Sequence, residues 1–157
     1  MEEIHISYEY ILSTATGVFL IPCAVSDIRR KEISFRFLSA AVGIALAAEI
    51  YLIFLGESVV GDLFLSLMPG VFLLLIGAVT GGKVGMGDGI VFLTIGLTIG
   101  CSSAFTVMFL SLIFSAVWSG YLMLSRKAGR NTAIPWMPFV LAGYLIWFLF
   151  SVIFPLS

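Results

Sequence analysis

Long apolar stretches alternate with short polar connections along the whole chain. A helix needs about 20 mostly apolar residues to cross a bilayer core about 30 Å thick, because each residue adds about 1.5 Å. Six stretches have this character: 8–25, 37–55, 59–80, 89–100, 103–124 and 134–154. The fourth is short, which predicts a partial or tilted helix. The pattern therefore predicts an all-α, polytopic membrane protein with about six transmembrane helices, packed as a single bundle and a single domain over residues 1–157. Five spans would result if the fourth stretch merged with its neighbours.

The composition agrees with a chain that lies mostly within the lipid bilayer. Hydrophobic residues make up 61% of the sequence and charged residues 11%, whereas about 25% of a soluble domain is charged. This excludes an ordinary water-soluble globule, a disordered chain and a disulfide-stapled secreted module. The sequence also contains no phosphate-binding loop, no zinc-ligand spacing and no base-stacking surface. We therefore expect no cofactor, no metal and no nucleic-acid partner.

The basic residues predict how the bundle is oriented. Every Lys and Arg lies between the first and second, the third and fourth, or the fifth and sixth apolar stretches: Arg29, Arg30, Lys31, Arg36, Lys83, Arg126, Lys127 and Arg130. The other connections and both ends contain neither residue type. Cytoplasmic connections of membrane proteins carry the excess of Lys and Arg. We expect both chain termini outside and the three basic connections at the cytoplasmic face of the cell membrane.

Acidic residues in or beside membrane spans are costly, so they mark candidate sites. Asp27 follows the first apolar stretch and Asp88 precedes the fourth, so the predicted orientation places both at the cytoplasmic face. Far apart in sequence, they can meet in space. Glu49 lies in the outer half of the second stretch, where it either bonds to a hydroxyl group on another span or contributes to a proton or ion pathway.

Two carboxylates that share a site hold one proton between them and can activate a water molecule. Each feature also has a plainer interpretation: Asp27 as a solvated residue at a helix end, and Asp88 as a helix N-cap. Around Asp88 six glycines crowd into thirteen residues, which predicts a loop that an extended substrate strand can approach closely. They are Gly77, Gly81, Gly82, Gly85, Gly87 and Gly89.

The run Gly85-Met86-Gly87-Asp88 matches the GxGD motif of membrane aspartic proteases. The stretch from Asp27 to Ile33, an Asp followed by basic residues and an Ile, resembles the first-aspartate motif of type IV prepilin peptidases. A third stretch, 134–139, is similar to the Ile-Pro-Phe-x-Pro-Phe run that opens their last span.

The resemblance to the prepilin peptidases implies that Asp27 and Asp88 are the catalytic pair and that Gly85, Met86 and Gly87 line the approach of the substrate. It implies cleavage of the basic leader peptide from prepilin-like precursors (pseudopilin, Flp-type or archaellin-like). The chain lacks the Cys-x-x-Cys pairs of the larger bacterial enzymes, so the resemblance implies a small form without N-methyltransferase activity. Oligomeric state is left open.

Two other functions remain open on the sequence. A presenilin-like or signal-peptide-peptidase-like protease shares GxGD, but it carries Tyr-Asp and Pro-Ala-Leu motifs that this chain lacks. A small transporter or proton-path subunit would use Asp27, Glu49 and Asp88. For the protease, helix dipoles predict unequal roles. Asp88 at a helix N-terminus would be the ionised base, and Asp27 at a helix C-terminus the protonated acid.

Overall fold

A computed structural model describes residues 2–30, 33–56, 58–81, 85–125 and 135–153, with side chains from Tyr10 onward. These residues form six α-helices and no strand. The helices are α1 (Glu2–Arg30), α2 (Phe35–Leu55), α3 (Val60–Val79), α4 (Met86–Ile99), α5 (Cys101–Leu124) and α6 (Met137–Ile153). The predicted all-α bundle is therefore confirmed. Several residues of the basic connections lie outside the described residues: Lys31, Lys83, Arg126, Lys127 and Arg130.

Four helices are long and apolar enough to cross a membrane: α1 from Tyr10, α2, α3 and α5. The other two are apolar but shorter, α4 with 14 residues and α6 with 17. The prediction of a short fourth helix is confirmed. The sixth apolar stretch, 134–154, begins before its helix, because Pro135 and Trp136 are not helical.

The first helix is longer than its apolar stretch. It continues through Asp27 to Arg30 and contains Pro22. Hydropathy marks only the part of a helix that lies in lipid, whereas the backbone hydrogen bonds continue wherever polar side chains reach water. Asp27 consequently lies within the last turn of α1, ahead of the exposed Arg29 and Arg30, and not in a connection that follows the span.

The short helix α4 forms the centre of the bundle. It packs against α1, α2, α3 and α5, and its side chains at Val91, Phe92 and Ile95 are fully buried. A helix surrounded in this way needs no polar face, which explains why its sequence is apolar on all sides. The central position of α4 also fixes the first turn of this helix, where Asp88 lies.

Glycines bring α3 and α4 into close contact. A Cβ atom at Gly70 would lie 2.5 Å from the backbone nitrogen of Leu93, and one at Gly89 would lie 2.6 Å from Leu74 Cγ. A Cβ at Gly96 would collide with the carbonyl oxygen of Ser66. Small residues at helix contacts let the backbones approach closely in membrane bundles. These three glycines thus set the distance between the two helices.

Candidate active site

Asp27 reaches from α1 to the beginning of α6. Its Oδ2 atom accepts a hydrogen bond from the backbone N–H of Met137, with an N···O distance of 2.9 Å. The two residues are 110 positions apart in sequence. A hydrogen bond from a backbone N–H at a helix N-terminus to a carboxylate is charge-assisted. This bond fixes the position of the Asp27 carboxylate in the partly buried space between the two helices.

The sequence at the start of α6 explains why this N–H has no partner within its own helix and can bond to Asp27. The Trp136 carbonyl accepts the first bonds of the helix, from Phe139 at 3.0 Å and Val140 at 3.2 Å. The first N–H groups of a helix have no partner within it, and Pro138 in the first turn has no N–H to satisfy. The Met137 N–H therefore points out of the helix end, while the Met137 side chain is buried in the core.

Asp88 lies in the first turn of α4, three residues after the helix N-cap Gly85. The prediction that Asp88 itself is the N-cap is wrong. Its carboxylate folds back and accepts a hydrogen bond from the Gly85 backbone N–H, as the third helical residue does in a capping box. A Cβ at Gly85 would lie 3.0 Å from Asp88 Oδ2, so a side chain at position 85 would displace the folded-back carboxylate by a few tenths of an ångström.

The two aspartates lie at the same end of the bundle. They are close enough for the charge of Asp27 to act on Asp88, and both side chains are only partly exposed. The two carboxylates therefore interact electrostatically, and their role as a catalytic pair stays a prediction. The dipole argument for unequal roles is not supported, because Asp27 also lies at the N-terminus of α6. Each carboxylate thus accepts an N–H at a helix N-terminus.

The glycine run is helical for the most part. Gly77 lies within α3, and Gly87 and Gly89 lie within α4. The predicted loop is therefore wrong for these three glycines and holds for Gly81 and Gly85. At Gly89 close packing against Leu74 of α3 compensates for the low helix propensity of glycine. Gly81 has a positive φ of 67° just after α3, and Gly85 has an extended backbone. Gly82 lies outside the described residues.

The start of α4 faces the entrance of the site. Gly85 and Met86 are exposed, and Gly87 is partly exposed. A groove of about 180 Å³ also opens beside Asp27. Its lining comes from the end of α1 and the start of α2: Pro22, Ser26, Ile33, Ser34 and Phe37. The groove is mainly apolar with two hydroxyl groups, and neither aspartate is among its lining residues.

Trp136 was not predicted to belong to the site. Its ring stacks on Phe92 with the centroids 5.7 Å apart and the planes inclined by 22°. Phe92 follows Asp88 by four residues and so lies on the same face of α4. The similarity of residues 134–139 to the Ile-Pro-Phe-x-Pro-Phe run concerns this stretch as a whole. No pattern in the sequence indicates the stacking or the bond from Met137 to Asp27. Ile134 lies outside the described residues.

Glu49 is buried at the opposite end of α2 from this site and accepts a hydrogen bond of 2.7 Å from the Ser58 hydroxyl. The expected hydroxyl partner is confirmed in type but lies in the connection before α3, not on another span. Within the described ranges, no group of three or more His, Cys, Asp and Glu side chains is arranged to hold a metal ion.

Comparison with known proteins places the chain in a family. The model of the type IV leader peptidase family matches residues 14–120, which include both aspartates and exclude the stretch before α6. Neither the curated proteins nor the solved structures gave a significant match. A match over 14–120 covers more than half of the 157 residues. The chain therefore belongs to the type IV leader peptidase family.

Proposed function

We propose that this protein is an aspartic endopeptidase that removes the basic leader peptide from prepilin-like precursors at the cytoplasmic face of the membrane, with Asp27 and Asp88 as the catalytic pair. Family membership implies a peptidase. The observation that carries the more specific proposal is the meeting of two carboxylates from α1 and α4 at one end of the bundle. Two such groups need no further nucleophile or metal to hydrolyse a peptide bond.

In the proposed reaction the pair holds one proton. The ionised carboxylate removes a proton from a water molecule, whose oxygen forms a bond to the scissile carbonyl carbon. The protonated carboxyl group donates its proton to the carbonyl oxygen, which gives a neutral tetrahedral diol. The carboxyl group that took the water proton then donates this proton to the amide nitrogen, while the other carboxylate removes a proton from a hydroxyl of the diol. The C–N bond breaks, an amine and a carboxylic acid are released, and the pair again holds one proton. Either aspartate can take either role, because the Asp27 carboxylate contacts the N-terminus of α6 and Asp88 lies in the first turn of α4.

The surroundings suit the proposed substrate. The bond from Met137 holds Asp27 in a fixed position, and positioning of this kind contributes much of the rate of an enzyme. The exposed Gly85 and Met86 leave the site open at the end of the bundle. A precursor with an apolar helix can rest against the lipid-facing bundle, while its leader extends past the carboxylates.

The cytoplasmic location is inferred from charge. Arg29 and Arg30 in the last turn of α1 and Arg36 in the first turn of α2 are exposed at the end of the bundle that holds Asp27. Lys and Arg beside membrane spans stay on the cytoplasmic side. The basic leader of a precursor is retained on that side by the same rule, so enzyme and leader meet at one membrane face.

The experiment is co-expression of the full chain with a pilin-like precursor, with leader removal followed as a mass shift. We expect Asp27→Asn and Asp88→Asn each to abolish cleavage while the protein stays in the membrane. The matched control is Asp62→Asn, because Asp62 is exposed in the first turn of α3, at the opposite end of the bundle, and this variant should cleave normally. Cleavage by either of the first two variants would refute the assignment.

A further inference from the structure

The indole N–H of Trp136 is buried and has no acceptor among the described residues. Among the residues that the structure describes, its Nε1 atom is the one buried side-chain nitrogen or oxygen that lacks a hydrogen-bond partner. Buried donors in native proteins are nearly always paired, because an unpaired donor has lost its bond to water without replacement. Such an exception calls for a reason, and one physical reason is an acceptor that arrives with a ligand.

Trp136 is linked to the neighbourhood of each aspartate by one contact. Its neighbour Met137 donates the N–H that holds Asp27, and its ring lies on Phe92, one turn of α4 beyond Asp88. The stacking and the helix start together fix the ring at the junction of α4 and α6. A peptide bound in extended form presents a carbonyl about every 3.3 Å. Carbonyls next to the scissile bond therefore come within reach of this junction.

We propose that the Trp136 N–H is a substrate-binding group that donates a hydrogen bond to a main-chain carbonyl of the precursor, within a residue or two of the bond that is cleaved. This inference rests on the proposed function. The donor is neutral, so it suits a neutral peptide carbonyl better than a charged group of the leader. Because Nε1 is enclosed while the residue as a whole is partly exposed, binding must be accompanied by a small displacement of the indole or of the chain that covers it.

The proposal predicts opposite effects on the free and the bound protein. In the free protein the N–H has no acceptor within the described part of the chain, so its removal does not destabilise the fold. In the complex the N–H is paired, so its removal weakens binding. A donor that is paired inside the free protein would behave differently, since its loss would lower the stability of the fold.

The test uses Trp136→Phe in the full chain, purified in lipid nanodiscs, with a synthetic precursor segment as substrate. Phe keeps an aromatic ring against Phe92 but has no N–H. A second variant carries benzothienylalanine at position 136, where sulfur replaces the N–H in a ring of nearly the same shape. The control is Trp118→Phe, because Trp118 is exposed on α5. KM, kcat and the unfolding temperature are measured for each variant.

We expect both variants at position 136 to raise KM about 3- to 10-fold, as the loss of one neutral hydrogen bond would. Their kcat should match that of the Trp118→Phe control. The benzothienylalanine variant, which keeps the ring volume, should also keep the unfolding temperature of the wild type, whereas Trp136→Phe loses ring area and can unfold at a lower temperature. Replacement of the substrate amide by an ester weakens that carbonyl as an acceptor. At the contacted position this change should raise KM for the wild type and have no effect on Trp136→Phe.

Unchanged KM in both variants would overturn the proposal, and so would a fall in the unfolding temperature of the benzothienylalanine variant. The proposed function is tested separately, since it fails only if Asp27→Asn or Asp88→Asn still cleaves the same segment. A kcat that collapses while KM is unchanged would also contradict the proposal, because it would place the N–H in the transition state alone.

Discussion

Gly70→Ala should displace the catalytic end of α4 without touching it. The added Cβ would lie 2.5 Å from the Leu93 backbone nitrogen, and an ordinary contact begins at 3.4 Å. Because a backbone atom cannot turn aside, α3 and α4 must separate by roughly 1 Å, and overpacking of this kind typically costs about 1–3 kcal/mol. Asp88 lies on the displaced helix, and a misplacement of about 1 Å at a catalytic group can lower a rate about 100-fold.

The assay combines thermal unfolding in detergent with the rate of leader cleavage. The matched control is Gly43→Ala on α2, where the new Cβ meets nothing within 4 Å and Ala favours the helix by up to about 1 kcal/mol. We expect the control to be as stable and as active as the wild type. If Gly70→Ala unfolds and cleaves like Gly43→Ala, the close contact of α3 and α4 does not position Asp88.

Two further changes test the packing and the site boundary. Tyr144→Phe removes the buried hydrogen bond of 2.6 Å from the Tyr144 hydroxyl to the Ser13 carbonyl. A melting experiment should therefore show a free energy of unfolding lower by about 0.5–1.5 kcal/mol. The control Tyr121→Phe, on the exposed face of α5, should have no effect in the same experiment. Glu49→Gln keeps an oxygen that can accept the hydrogen bond from the Ser58 hydroxyl, so cleavage and stability should match the wild type in parallel assays. Loss of cleavage would show that Glu49 belongs to the reaction and would favour the proton-path alternative.

The helices and the meeting of the two aspartates could be predicted because they follow from simple constraints. Apolar length decides which segments enter lipid, and the alternation of basic connections assigns each helix end to a membrane face. That assignment alone predicts that Asp27 and Asp88 lie at the same membrane face. The ends of α1 were less predictable, because hydropathy does not distinguish a helix that continues into water from one that stops at the membrane surface.

The contacts that hold the site could not be predicted, because they depend on which helices are neighbours. The packing of α6 against α1 brings the Met137 N–H to Asp27, and no sequence period reports that packing. The same contact puts the Asp27 carboxylate against the N-terminus of α6, so helix dipoles do not favour Asp27 over Asp88 as the protonated acid. The helical glycines near Asp88 could not be predicted for a similar reason. Helix propensity describes an isolated helix and does not include the close approach of a neighbouring helix that glycine permits.

The most direct test of the shared site is the cleavage rate of three purified variants: Asp27→Asn, Asp88→Asn and the double variant. Residues that act as one unit are strongly non-additive, so each single change should cost about as much as both together. We predict that the double variant is no slower than the slower single variant. Substantial cleavage by either single variant, or a loss in the double variant equal to the product of two partial losses, would contradict the account.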